Sequence, residues 1–174
     1  MAIKNLNIRA LSMDDWETYK SLRLSSMSDS PDSFGATLDR ETSYPDEEWL
    51  SRLDPLDRAA TALPLVAEIE GTPVGLAWGL VHKQSSKEAH IYQMWVKPEA
   101  RNKGIGRKLV ETIISWARDS QLTSLALSVT TTNNAAVSLY ESTGFVSIGE
   151  AEPLRPGSTL KAQPMVLKLK DNIA

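Results

Sequence analysis

The 174-residue chain carries 22 acidic and 19 basic side chains, a formal net charge of −3, and 41% apolar residues. At this length a single domain over residues 1–174 is expected, burying roughly 70% of its unfolded surface without staples. No cysteine is present and only His82 and His90 supply imidazole, so a disulfide scaffold, a thiol nucleophile, a cysteine-ligated metal and a histidine-rich metal cluster are excluded.

Ile3 to Arg9 alternates and reads as a short strand. Ser12-Met13-Asp14-Asp15 has the form of a capping box with an acid in the glutamate's place. It opens a helix with Trp16, Tyr19, Leu22 and Leu24 on its apolar side, up to about Met27. Pro31 and Gly35 interrupt. Pro45 suits the first turn of a second helix, with Trp49, Leu50 and Leu53 facing inward, ended by Asp54-Pro55.

From Leu65 the period becomes two. Leu65 to Glu70, a Gly71-Thr72-Pro73 turn and Val74 to Val81 predict a hairpin. A third strand, Ala89 to Val96, follows the polar loop Lys83 to Glu88. The longest helical pattern carries Leu109, Val110, Ile113, Ile114 and Ala117. Leu125 to Val129 reads as a buried strand. Asn133 caps a helix bearing Ala136, Val137, Leu139 and Tyr140, with Gly144 at its end. Phe145 to Ile148 and Met165 to Leu169 complete the strands. The order β-α-α-β-β-β-α-β-α-β-β implies a mixed α+β sheet with helices on its faces. No run approaches a membrane span, and Met1 to Arg9 lacks a signal peptide's apolar core, so a cytoplasmic protein with no membrane partner is expected. The net charge argues against general nucleic-acid binding.

The octet Arg101-Asn102-Lys103-Gly104-Ile105-Gly106-Arg107-Lys108 follows a strand, opens the long helix, and holds four bases and no acid. A helix start ordinarily favours acids, because its free N–H groups make that end positive. Four cations there suit a bound anion, and the glycines let the backbone approach it. A solvated basic helix start is the plainer reading. A Rossmann fingerprint would need a small residue where Leu109 stands, and Gly106-Arg107-Lys108 does not close a Walker loop.

Val96-Lys97-Pro98-Glu99-Ala100-Arg101-Asn102-Lys103-Gly104-Ile105-Gly106 resembles the acyl-CoA-binding signature of the GNAT superfamily of N-acetyltransferases, Val-x-Pro followed by Arg/Gln-x-x-Gly-x-Gly/Ala. Asn133-x-x-Ala136-x-x-x-Tyr140-x-x-x-Gly144-Phe145 resembles that family's Asn…Ala…Tyr…Gly-Phe element. The blocks stand in the family's order, separated by a helix and a strand; Asn102 occupies a position where glycine or arginine is commoner. The resemblance implies a GNAT-like mixed, mostly antiparallel sheet of about seven strands flanked by about four helices. It also implies acetyl-CoA as donor, with no metal.

By this resemblance, backbone N–H groups of Arg101, Asn102, Lys103, Gly104, Ile105, Gly106 and Arg107 would hold the pyrophosphate. Met94, Trp95 and Val96 would meet the pantetheine arm, with Asn133 and Ala136 in the second block of the cofactor site. Tyr140 takes the position of the general acid for the departing thiolate. His90, six residues before Val96, lies in a slot where some members place a base; Glu88 and Glu68 are weaker candidates, and a water relay or an already neutral amine remains open. Unbroken period-2 geometry would put His90, Tyr92, Met94 and Val96 on one face.

The resemblance implies an amine acceptor. Seven acids between Asp29 and Glu48 (Asp29, Asp32, Asp39, Glu41, Asp46, Glu47, Glu48) against Arg40 suggest an acidic rim for a cationic one. Phe34, Trp49 and Trp78 are candidates for an apolar wall. Polyamine, aminoglycoside, amino-acid-like molecule and protein N-terminus stay open, as does a homodimer. The expected activity is acetyl transfer to a primary amine by direct attack in a ternary complex; a non-catalytic acyl-CoA-binding or sensing domain is the alternative.

Overall fold

A computed structural model describes residues 5–56, 61–83 and 85–170. The predicted first strand is β1, Leu6–Ala10; Ile3 and Lys4 lie outside the described residues. The acid in the capping box works as expected: the Asp15 carboxylate accepts the Ser12 N–H at 2.8 Å and is itself held by Arg9 at 2.9 Å. A single 3-10 turn, Met13–Asp15, leads into α1, Trp16–Asp29. Tyr19, Leu22 and Met27 are buried, and so is Arg23, a cation on the inward face. A short helix absent from the predicted order, α2 (Leu38–Thr42), is capped by the Thr37 hydroxyl accepting the Arg40 N–H. Five residues are too few for a helical period to show. The predicted helix after Pro45 is α3, Asp46–Leu53, with Trp49 and Leu53 buried.

The hairpin is β2 (Thr61–Ile69) and β3 (Thr72–Val81), followed by β4 (Glu88–Val96), α4 (Ile105–Asp119), β5 (Ser124–Thr130) and α5 (Asn134–Ser142). The C-terminal part is β6 (Val146–Ser147), β7 (Glu152–Pro153) and β8 (Lys161–Lys168). The strands form one eight-stranded sheet in the order β1-β2-β3-β4-β5-β8-β6, with β7 on β8. Every pairing is antiparallel except β4 with β5. Among the described residues that makes eight strands and five α-helices, against about seven and four expected; the difference is the one-turn α2 and the two-residue β7.

One core lies between the sheet and α4, where Leu109, Val110, Ile113 and Ala117 are fully enclosed, and it takes in Tyr140 and Phe145 from the α5 region. The other lies under α1 and α3, around Tyr19, Trp49, Val66, Leu76 and Trp95. Gly79 of β3 is what brings α4 so close, since a Cβ there would stand 2.8 Å from the Trp116 ring.

Two irregularities in β4 position everything that follows. Leu76 of β3 pairs with Trp95, but Trp78 pairs with Tyr92, so β4 carries an extra residue, and Gln93 adopts φ 56°. The bulge reverses the alternation: Ala89 and Ile91 belong to the core under α4, and after the bulge Met94 and Val96 pack against that same core. His90 and Tyr92 therefore do not share a face with Met94 and Val96, which corrects the single-face expectation. The second irregularity is the parallel ladder itself. It consists of three pairs, Glu88–His90 with Ser124–Ala126, after which β4 and β5 diverge. Among the described residues no helix is long and apolar enough to cross a membrane, and no group of three or more His, Asp or Glu could hold a metal.

Candidate active site

The divergence of β4 from β5 opens a cavity of about 860 Å³ that passes between the strands. Ala126, Ser128 and Thr130 line it on one face of β5, and Leu127 and Val129, whose side chains belong to the core under α4, line it on the other. Tyr140 reaches it from α5, and His90 reaches it from the opposite face of β4. Met94, Asn133 and Ala136 also line it.

Tyr140 is buried and packs edge-on against Phe145, ring centroids 5.9 Å apart. Its oxygen has no hydrogen-bond partner among the described residues, and burial pushes the phenol well above its ordinary value, so it is protonated at neutral pH. His90 stacks on Tyr92 and stands edge-on to His82. Its Nε2 lies 3.7 Å from Glu88 Oε1, while Nδ1 is enclosed without a partner. Burial lowers its pKa, Glu88 opposing and His82 adding to the shift, so the imidazole is neutral at pH 7. Glu88 lines the cavity beside it and accepts the Ser124 hydroxyl at 2.8 Å. Glu68 is elsewhere, paired with Arg9 at 2.9 Å between β1 and β2.

The predicted anion cradle is the start of α4. Gly104 is the N-cap in the left-handed region, φ 83°, with Asn102 before it at φ 62°. A glycine cap has no side chain to satisfy the first N–H groups, and no acid stands in the first turn, so the positive end of a fifteen-residue helix is left uncompensated. The side chains of the octet are used differently from the backbone. Arg101 donates to the Val96 carbonyl at 2.9 Å and to Asp29 at 2.6 Å, and Arg107 to the Ser142 hydroxyl at 2.6 Å. Ile105 is core, and Lys103 is exposed. Gly106 serves packing: a Cβ would meet Leu139 of α5 at 3.2 Å.

The sequence model of the Acetyltransferase (GNAT) family matches residues 20–145. The chain belongs to this family. A mycothiol acetyltransferase of Thermobispora bispora is 33% identical over 135 residues, 75% of this chain and 43% of the relative. A thialysine N-epsilon-acetyltransferase of Bos taurus is 37% identical over 98 residues, 51% of this chain and 58% of the relative. The chain spans about two fifths of the length of the first curated relatives it matches. The fold is that of a GNAT-family acetyltransferase from Streptococcus pneumoniae (TM-score 0.80, 24% identity, 95% of this chain and 99% of that one). It is also that of yncA from Salmonella typhimurium, solved with acetyl-CoA (TM-score 0.77, 20% identity, 98% of each chain).

Within this GNAT chain, several named side chains do work that the motif alone does not reveal. The Asn133 side chain caps α5, accepting the Ala136 N–H at 3.2 Å and approaching Ser33. Trp95 points into the core under α1, its indole N–H donating to Asp29 at 3.0 Å, and does not line the cavity. Asp29, whose carboxyl is held low by Ser30, Trp95 and Arg101, thus ties α1 to the end of β4 and to the cradle.

The acidic rim is corrected by the pairing. Glu41 is buried between Arg23, which grips it at 2.9 and 3.0 Å, and Arg52 at 3.3 Å. Asp46 pairs with Lys20, Glu48 with Arg52, and Asp29 with Arg101. What faces the cavity from this side is Tyr19, Arg23, Arg52 and Trp78, with Phe34 on the covering segment Ser33–Ala36; Trp49 is wholly enclosed and is no part of the wall. Arg23, Arg52 and Tyr19 could not be picked from the sequence, because a helical arginine ordinarily reads as surface. Arg155, between β7 and β8, fastens the cover by donating to the carbonyls of Pro31, Phe34 and Gly35 at 2.7–3.3 Å.

Proposed function

We propose that the chain is an acetyl-CoA-dependent N-acetyltransferase that acetylates a primary amine by direct attack, donor and amine being held together. The observation that carries this reading is the cavity through the sheet, with a protonated phenol entering from one face and a neutral imidazole from the other. The absence of cysteine leaves no thiol to carry the acetyl group between two half-reactions.

The residues present fit the donor. The uncapped N-terminus of α4 offers N–H groups to a pyrophosphate, and nothing stands within 4 Å of where a Gly104 Cβ would point. The diverging stretch of β4, Met94 to Val96, lies beyond the last rung shared with β5, leaving its backbone on that side for a pantetheine arm. Acetyl-CoA supplies an acyl group activated as a thioester. Because Nδ1 of His90 is enclosed, Nε2, beside Glu88, is the ring nitrogen that takes the proton the amine must shed, directly or through a water. Tyr140 holds the proton that the departing sulfur requires, and burial keeps it there until then.

Thermal unfolding with acetyl-CoA, coenzyme A, ATP and NAD tests the donor. A ligand at about 100 times its Kd adds roughly 2.7 kcal/mol to the folded state. Stabilisation by the two coenzyme A species alone, with thiol release on adding amines, is expected; stabilisation by ATP or NAD and not by coenzyme A refutes the reading.

A further inference from the structure

The end of the cavity nearest α1 and α3 holds two guanidinium groups, Arg23 and Arg52, with one buried carboxylate, Glu41, between them. Glu41 does not line the cavity; both arginines do. Arg23 is 4% exposed, and two of its nitrogens are spent on Glu41, but Nη1 is enclosed and has no partner among the described residues. Its other neighbour is the face of Phe34, 4.8 Å from the guanidinium carbon. Arg52 is clasped between Tyr44 and Trp49, at 4.9 and 5.1 Å, and donates weakly to the Tyr19 hydroxyl at 3.4 Å. Its remaining acid, Glu48 at 3.5 Å, is about half exposed, so that attraction is screened by water. At this end the lining thus presents two cations and no acid, with the planes of both forks fixed by aromatic rings. A buried cationic nitrogen without an acceptor is rare in folded proteins unless a ligand completes it.

We propose that the amine acceptor also carries a carboxylate, an amino-acid-sized zwitterion whose carboxylate is received by Arg23 and Arg52. The proposal rests on the acetyltransferase reading for the amine end. Tyr19 donates to Gln93 at 2.9 Å, three residues along β4 from His90, about 10 Å at ~3.3 Å per residue. Glu88, beside His90, supplies the negative end for the ammonium group. The cavity therefore has opposite charges at its two ends, a pattern that fits a zwitterion and disfavours a polyamine. The other acid on the lining, Glu152, sits exposed on β7.

The test needs only the wild-type protein saturated with coenzyme A. Its thermal unfolding is followed with each of the twenty L-amino acids, with the matching carboxamides, and with spermidine. At least one amino acid is expected to stabilise the complex, its carboxamide binding at least about tenfold more weakly, because a site built for hydrogen bonds rejects the analogue lacking the group. In Arg52→Gln that ratio is expected to shrink toward one; should the variant not fold, the wild-type ratio decides. Equal or tighter binding of carboxamides or spermidine, or no binding of any amino acid, overturns the proposal. Thiol release from acetyl-CoA with the same panel separates the two readings. Carboxylate-selective binding without thiol release refutes catalysis and leaves the site standing; release that ignores the carboxylate does the reverse.

Discussion

Replacing Tyr140 by phenylalanine removes one oxygen and leaves the ring's contact with Phe145 in place. Tyr140→Phe is therefore expected to lower turnover by about two orders of magnitude, the lower end of general-acid contributions, with acetyl-CoA affinity unchanged, as measured by thiol release beside a binding titration. Unchanged turnover across pH would remove the proton-donor role. His90 gives a different signature. Its folded pKa lies below the ordinary imidazole value of about 6.5, so the folded state takes up its proton less readily than the unfolded chain. That contribution to stability is fully present above the unfolded pKa and is lost as pH falls through the window below it. The acid limb of kcat/KM should fall below pH ~6.5 and be absent in His90→Gln, whose loss of rate is greatest near neutral pH. The family resemblance pointed to both residues, and both line the cavity. The face on which His90 lies relative to Met94 was not legible in the sequence, because the bulge at Gln93 has no glycine to announce it, only a left-handed backbone that the Tyr19 hydroxyl helps hold.

The contact between α1 and α2 depends on the Arg23–Glu41 pair, whose side chains are 5% and 4% exposed. Burial alone would raise the Glu41 carboxyl, but the hydrogen bonds and charges of Arg23 and Arg52 outweigh it and hold it low. Glu41→Gln leaves two cations facing an amide, with an expected loss of about 3–5 kcal/mol in denaturant unfolding, the usual result of breaking one side of a buried pair. Because the folded pKa is depressed, the wild type keeps this stabilisation above the unfolded carboxylate value and loses it as pH falls through the folded one; the variant's unfolding should be correspondingly less acid-sensitive. Gly106→Ala probes a neighbouring contact. The added methyl would press on the Leu139 side chain at 3.2 Å, which has to give by only a few tenths of an ångström, and this is offset by a helix-propensity gain of about 1 kcal/mol, so the net change in denaturant unfolding is expected to stay within about 1 kcal/mol. Helices α4 and α5 were readable because long periodic runs and an asparagine cap announce themselves. Helix α2 and strand β7 were not, being five and two residues long and fixed by tertiary contacts.

The antiparallel hairpin and the parallel crossover through α4 were foreshadowed by the change from period two to period 3.6 after Val96; the pairing of β1 with β2 and the placing of β8 between β5 and β6 are long-range and left no local signal. The charge of the cavity was the part that composition misled. Seven acids in one segment suggested an acidic rim, yet in the folded chain four of them, Asp29, Glu41, Asp46 and Glu48, pair with bases, and two of those bases, Arg23 and Arg52, line the wall. Sequence proximity records which charges are made together; only packing decides which ones a ligand meets.

The three rungs between β4 and β5 are also a seam. Strands β2 to β4 are joined by adjacent hairpins and β1 pairs onto β2, whereas β5 pairs with β8 across thirty residues, so the two half-sheets are separately braced and share one short stitch. Along the open stretch, from Ile91 onward on one side and from Leu127 on the other, backbone amides facing the gap lack the protection that a continuous ladder gives. A donor lying in that gap with its arm against β4 takes the place of the missing rungs. Binding should thus slow hydrogen exchange along Tyr92 to Val96 more than in the hairpin behind it, and join the two halves of the sheet more firmly than their own three rungs do.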